Sequence, residues 1–153
     1  MNHVSRTDQR YKGFSPYKMD PKFRVSIPPL WRPEAGARLY LLFSKAHELP
    51  VVKVLSQEAY DEKVELIQGS TKTPREKSEM LGKLAMLTRE ASLNEQGKLL
   101  VPKDLSEPSG ILAESEVMLA GRGNYFQIWS KANFASVLDI ESRQEEDDDL
   151  GIF

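Results

Sequence analysis

The chain contains no cysteine and only two histidines, His3 and His47. The first absence excludes disulfides, thiolate nucleophiles and zinc–thiolate sites, and it suits a reducing cytoplasm. The two histidines leave little room for acid–base chemistry, since neither stands in a recognisable nucleophile setting with a serine or aspartate. Long hydrophobic runs are missing as well. No stretch approaches the roughly 18 apolar residues of a membrane span, and the polar opening MNHVSRTDQR lacks the apolar core of a secretory leader. G-x-S-x-G, P-loop and H-E-x-x-H patterns do not occur. The expectation is therefore a protein without catalytic residues, metal or cofactor, and without a membrane. What is present is an ordinary globular composition of 153 residues, 40% hydrophobic and 29% charged, long enough to bury a core.

The formal net charge of -2 hides an asymmetry. Residues 1–32 carry seven Lys or Arg against Asp8 and Asp20, whereas residues 139–153 carry seven acids against Arg143 alone. A basic front suggests a polyanion-facing surface, and an acidic tail suggests either solvation or competition for that surface. Asp147-Asp148-Asp149 lacks the spaced ligands and turn glycine of a calcium loop, so it reads as solvated tail. Gly121-Arg122-Gly123, lying between two strand patterns, reads as a hairpin turn rather than a phosphate cradle.

Residues 1–12 lack periodicity and are expected to be disordered. Beyond them, Tyr17, Met19, Val25 and Ile27 alternate with Lys18, Arg24 and Ser26 as in half-buried strands, which Pro28-Pro29 terminates. Leu39–Phe43 and Val51–Leu55 read as buried strands. Ser56 caps a helix that Gly69 stops, and Thr73-Pro74 with Glu76 opens a second, giving a helical hairpin. The pattern of the first half then returns. Met19–Pro28 aligns with Leu93–Pro102 and Lys53–Ser56 with Gln127–Ser130 at an offset of 74, while Val117–Ala120 matches Leu39–Leu42 with a small shift. Two copies predict a pseudo-two-fold unit, neither half being large enough to bury a good core alone. A final helix is expected over residues 131–138. The boundaries that result are a disordered 1–12, a first half 13–56, a helical hairpin 57–90, a second half 91–138 and an acidic tail 139–153.

The repeated turn holds the candidate site. It reads Asp20-Pro21-Lys22-Phe23-Arg24 in one copy and Asn94-Glu95-Gln96-Gly97-Lys98 in the other. Asp20 and Asn94 can each found a turn by accepting from the backbone two residues on, and Gly97 takes a positive φ at no steric cost. The charge admits two readings: an Asp20–Arg24 ion pair that only holds the turn, or two cationic turns on one surface. Composition does not separate them. Tyr17, Trp31, Phe126 and Trp129 fit core packing better than base stacking; Phe23, opposite Gly97 in the alignment, is the exception.

The two motif copies, with F-Q-I-W-S late in the second and Tyr11-Lys12-Gly13-Phe14 as lead-in, resemble the MraZ family of bacterial transcriptional regulators over about residues 12–138. The resemblance implies an α+β fold of tandem swapped-hairpin AbrB-like β-barrel halves with a helical hairpin between them. It further implies a DNA-binding repressor of its own division and cell-wall operon, cytoplasmic and nucleoid-associated. Such a regulator acts as a homo-oligomeric ring, octamer or dodecamer, on short direct repeats. The family motif D-x-x-x-R is carried by Asp20 and Arg24, whereas Asn94 and Lys98 replace both residues in the second half, and Phe23 stands where the family has glycine. Arg24 and Lys22 are then the principal DNA contacts, Lys98 a phosphate contact, and Lys18 and Arg32 further neutralising groups, with Asp20, Asn94 and Gly97 shaping the turns. A competing reading is an AbrB-like protein-interaction module such as an antitoxin, in which the tail would bind the partner.

Overall fold

The computed structural model describes residues 9–143 and 148–153, so the expectations for residues 1–8 and for the part of the acidic tail over 144–147 lie outside the described residues. The fold is α+β. In chain order it contains β1 (Phe14–Lys18), β2 (Arg24–Ser26), β3 (Leu39–Ala46), β4 (Leu49–Leu55), α1 (Gln57–Gln68), α2 (Pro74–Met86), β5 (Thr88–Ala91) and β6 (Lys98–Leu100). The second copy continues with the short α3 (Lys103–Ser106), then β7 (Glu116–Gly121), β8 (Phe126–Ser130) and α4 (Lys131–Ser142).

The caps explain where the helices begin. Ser56 and Ser130 each accept a hydrogen bond from the backbone three residues on, and Thr73 with Glu76 forms a reciprocal capping box that satisfies two orphan amide groups. Two boundaries differ from the sequence reading. Helix α2 stops at Met86 and Thr88–Ala91 becomes a strand, because β3 offers these residues a ladder from Leu39 to Leu42. Helix α4 runs past 138 to Ser142, with Phe134 and Val137 buried against Val51, Ala120 and Trp129. Order also begins earlier than expected, since Tyr11 is buried and bridges to Gly123.

The strands form a six-stranded antiparallel sheet, β1-β7-β8-β4-β3-β5, and a two-stranded sheet, β2-β6. Exchanging β1–β4 for β5–β8 reverses the first order and leaves the second unchanged, so the strand order has two-fold symmetry. Register supports this residue by residue. Val25 pairs Leu99 and Lys53 pairs Gln127, each with its own counterpart at offset 74. Tyr17–Val117 and Ala91–Leu39 are counterpart pairs only if β7 is offset from β3 by 78, which is the small shift seen in the sequence.

Among the described residues, only the hairpins β3–β4 and β7–β8 pair within a copy. β1 pairs with β7, β5 with β3, and β2 with β6, so each copy completes the other's sheet. The main core lies between the sheets, where Met19, Val25, Ile27, Leu99, Val101 and Ile128 are fully buried. Burying such residues drives the copies together, at roughly 1.5–3 kcal/mol each. The described residues contain no helix long and apolar enough to cross a membrane.

Candidate nucleic-acid interface

The two turns share one backbone geometry. The Asp20 amide donates to the Arg24 carbonyl at 2.9 Å, and the Asn94 amide to Lys98 at 2.9 Å. Asp20 Oδ1 accepts from the Lys22 and Arg24 amides, both at 2.8 Å; Asn94 Oδ1 accepts from Gln96 and Lys98, both at 2.9 Å. The residue three after each founder is left-handed, Phe23 at φ 62 and Gly97 at φ 77. Its carbonyl accepts from the opposite copy: Phe23 from the Val101 amide at 2.9 Å, Gly97 from Ile27 at 3.1 Å. The turns therefore sit at the two ends of one ribbon, β2–β6.

Period-two alternation sends Val25 and Leu99 inward and Arg24, Ser26, Lys98 and Leu100 outward. The outward face brings Arg24 and Lys98 to the same carboxylate. Arg24 Nε lies 3.1 Å from Asp20 Oδ2, and Lys98 Nζ lies 3.9 Å from the same oxygen. Both cations keep about a third of their side-chain surface in water, 36% and 32%. The ion pair of the first sequence reading thus exists, and it coexists with cations that stay partly open to water. Asn94 holds its own turn without charge, so one carboxylate faces two cations.

Phe23 tests the fold at a glycine-like position. A left-handed non-glycine residue costs on the order of 1–2 kcal/mol. Its ring is half-buried and packs on the main core, which offsets that strain. Opposite it in the repeat, a Cβ on Gly97 would lie 2.3 Å from Arg32 Cζ, so the Arg32 guanidinium fills that space. Arg32 Nε donates to the Ile27 carbonyl at 2.8 Å, and its counterpart Ser106 donates to the Val101 carbonyl at 3.0 Å. Glycine thus faces arginine at the second turn, whereas at the first the large turn residue packs on the core and the counterpart of Arg32 is a buried serine. Arg32 is thereby seated on the second turn while remaining exposed.

Lys22 is exposed within the first turn, and Lys18 lies at the turn end of β1, across the ladder from Glu116, whose carboxylate pairs with Lys131 at 3.0 Å. Lys12 stands at the other end of β1, beside the hairpin at Gly123, away from the turns.

Sequence reasoning missed a second polar assembly. Glu141 Oε2 lies 2.9 Å from His47 Nε2, and Glu141 Oε1 accepts from Arg122 Nη1 at 2.8 Å. Burial raises the Glu141 carboxyl, but the bonds from Arg122 and His47 outweigh it and leave the group below its ordinary range. His47 and Glu48 are both left-handed at the β3–β4 tip, where the sequence shows no glycine to mark the turn. The clamp has a practical consequence: removing the acidic tail after Asp139 also removes Glu141, so a tail truncation has to retain Ser142.

The Arg24 amide bond, against some desolvation, and then the Lys22 amide and the Arg24 side chain hold the Asp20 carboxyl below its ordinary 3.8. A depressed pKa contributes stability that is full above 3.8 and lost as pH falls through the lower folded value. Asn94 does not titrate. On acidification below 3.8, the Lys22 and Arg24 amide resonances should therefore move in an NMR titration while those of Gln96 and Lys98 hold still. Parallel movement in both turns would contradict this assignment.

No family model matches the chain. It is 26% identical over 121 residues to the transcriptional regulator MraZ of Mycoplasmopsis pulmonis, covering 79% of each chain. It is 28% identical over 120 residues to MraZ of Dehalococcoides mccartyi, covering 78% of this chain and 82% of that one. MraZ of Marinobacter nauticus shares 27% over 143 residues, 89% of this chain and 91% of its own. The resemblance carried by the two motif copies is thus borne out along most of the chain, and the proteins it resembles are named as transcriptional regulators.

Proposed function

We propose that this relative of the MraZ regulators is a sequence-specific DNA-binding protein that represses its own operon, with the outward face of β2–β6 and its two turns as the DNA interface. The observation that carries the reading is the pair of matching turns that set Arg24 and Lys98 on one exposed face. A two-stranded ribbon fits the major groove, where arginine forks across two acceptors and lysine neutralises a phosphate. Lys22, Lys18 and Arg32 extend the cationic face around it. On this reading the exchange of strands between copies is the swapped-hairpin AbrB arrangement, and the protein works at the nucleoid in the cytoplasm.

A ring oligomer, octamer or dodecamer, belongs to the same proposal. Helix α2 buries none of its residues, and Met80 and Met86 stay exposed, which favours a partner subunit over an internal role. Repetition around a ring raises avidity on repeated sites without any new contact. A chain with pI near 5.8 then binds DNA through a local face. The antitoxin-like reading draws on the exposed Leu150, Ile152 and Phe153, and co-purification of a small partner protein would favour it.

The test is a gel shift with DNA from upstream of the protein's own gene, at low salt and with scrambled competitor. Retarded bands that survive the competitor and weaken steeply with salt are expected. Absence of any shift at low salt would sink the reading.

A further inference from the structure

Against the α1–α2 hairpin lies an open groove of about 720 Å³ that the DNA reading does not use. Its floor is apolar, with Leu84 packed on the core behind it and Leu66 and Met80 open to water. Three lysines, Lys45, Lys63 and Lys83, line it, and no carboxylate does. Two acids on the same helices have partners of their own: Glu62 accepts from Asn124 and Glu79 pairs with Arg75. Three like charges oppose face-to-face pairing of two such grooves. They fit an occupant that is both apolar and acidic.

The chain carries one. Asp148, Asp149, Leu150, Gly151, Ile152 and Phe153 follow Glu145, Glu146 and Asp147 in sequence. Asp148 Oδ1 accepts from the Ile152 and Phe153 amides at 2.6 and 3.0 Å, and Gly151 is left-handed at φ 67. This turn is formed in advance and presents its apolar side chains outward: Leu150, Ile152 and Phe153 are 79%, 68% and 102% exposed. A preformed turn gives up less conformational entropy on docking than an extended segment. The groove volume falls within the range of sites that enclose a small ligand, enough for these three side chains.

We infer that the acidic, apolar turn Asp148–Phe153 of one copy docks in the α1–α2 groove of a second copy, with its carboxylates toward Lys45, Lys63 and Lys83. No residue of the turn lines the groove, and Leu66 and Met80 of the one and Leu150, Ile152 and Phe153 of the other are open to solvent. Docking between copies covers both and ties subunits together through a surface separate from the β2–β6 ribbon. It also gives the acidic segment a destination other than the cationic turns.

The absence of native cysteine makes the test clean. Phe153→Cys and Leu66→Cys chains are prepared separately, mixed, and treated with a mild oxidant. A covalent heterodimer is expected. It should be at least tenfold less abundant when the first chain also carries Leu150→Ser and Ile152→Ser, or the second Lys45→Glu and Lys83→Glu. Leu30→Cys, 88% exposed and two residues before the Arg32 that seats on the second turn, serves as the control partner. Equal cross-linking to Leu30→Cys would overturn the assignment and favour docking on the cationic face. A bridge that forms only within one chain carrying both Phe153→Cys and Leu66→Cys would overturn the intermolecular arrangement. Absence of any bridge would overturn the docking itself.

Discussion

Gly121→Ala is expected to destabilise the fold by about 3 kcal/mol or more, although it adds a single methyl group. A Cβ at Gly121 would lie 2.4 Å from both the carbonyl carbon and oxygen of Tyr11 and 2.7 Å from the Lys12 nitrogen, all backbone atoms that no rotamer change removes. The segment ahead of β1 has to lift. It is held by the Gly121 amide on Gly13 at 2.8 Å and by the reciprocal Tyr11–Gly123 pair at 3.0 and 2.9 Å. Lifting it withdraws Tyr11 from an aromatic cluster in which its ring lies 5.6 Å from Trp31 and 5.3 Å from Phe126. Overpacking alone costs about 1–3 kcal/mol, and partial exposure of a buried aromatic residue adds to that.

Gly82→Ala is the control. Gly82 sits inside α2 with nothing within 4 Å of an added Cβ, so alanine should stabilise by up to about 1 kcal/mol. Urea denaturation at one fixed protomer concentration compares them, since association contributes to apparent stability. A Gly121→Ala midpoint within error of the unmodified chain would show that the segment ahead of β1 is dispensable.

The difference between these glycines marks what the sequence reveals and what it conceals. Local chemistry was legible: Ser56, Thr73-Pro74 and Glu76 start helices where their capping roles require, and Asp20 and Asn94 found matching turns. The offset of 74 carries apolar alternation with it in the sequence, and the same offset reappears in the register of β2–β6 and β4–β8. Pairing partners were not. Alternation fixes which face of a strand is buried, but not which strand lies beside it, so the exchange of β1 and β5 between copies had no local signal. Thr88-Arg89-Glu90-Ala91 follows helical leucines and has weak strand character, and only the ladder with β3 selects its extended form.

The site was legible in part for the same reason. The spacing of Asp20 and Arg24 reports a contact within one turn. Lys98 reaching Asp20, Arg32 seating on Gly97 and Glu141 joining His47 to Arg122 all cross between distant segments. Phe23 was the residue most open to reinterpretation. Its ring packs on the main core, and the space beside its counterpart Gly97 is filled by Arg32, neither of which the turn motif signals.

Arg24→Ala is expected to weaken binding to the upstream DNA by about a hundredfold, against a loss of roughly threefold to tenfold for Lys98→Ala. Two effects combine in Arg24. A forked contact to a base or phosphate is worth about 1–3 kcal/mol, and tenfold in affinity corresponds to about 1.4 kcal/mol. Removing Arg24 also leaves Asp20 with only the more distant Lys98, so a carboxylate faces the polyanion with less compensation. Lys98→Ala removes one point charge and leaves the Arg24–Asp20 pair in place. In an oligomer every engaged subunit carries the substitution, which multiplies the loss.

Asp20→Asn separates the two effects. Asn94 already supports the same turn through Oδ1, so the variant keeps its amide bonds while losing the charge, and it should bind DNA more tightly than the unmodified chain. Fluorescence anisotropy across a salt series measures all three variants, and each phosphate contact removed should lower the salt slope by about 1. Equal losses for Arg24→Ala and Lys98→Ala would contradict the asymmetry between the turns. Weaker binding by Asp20→Asn would show that the Asp20 carboxylate positions Arg24 for DNA rather than opposing it.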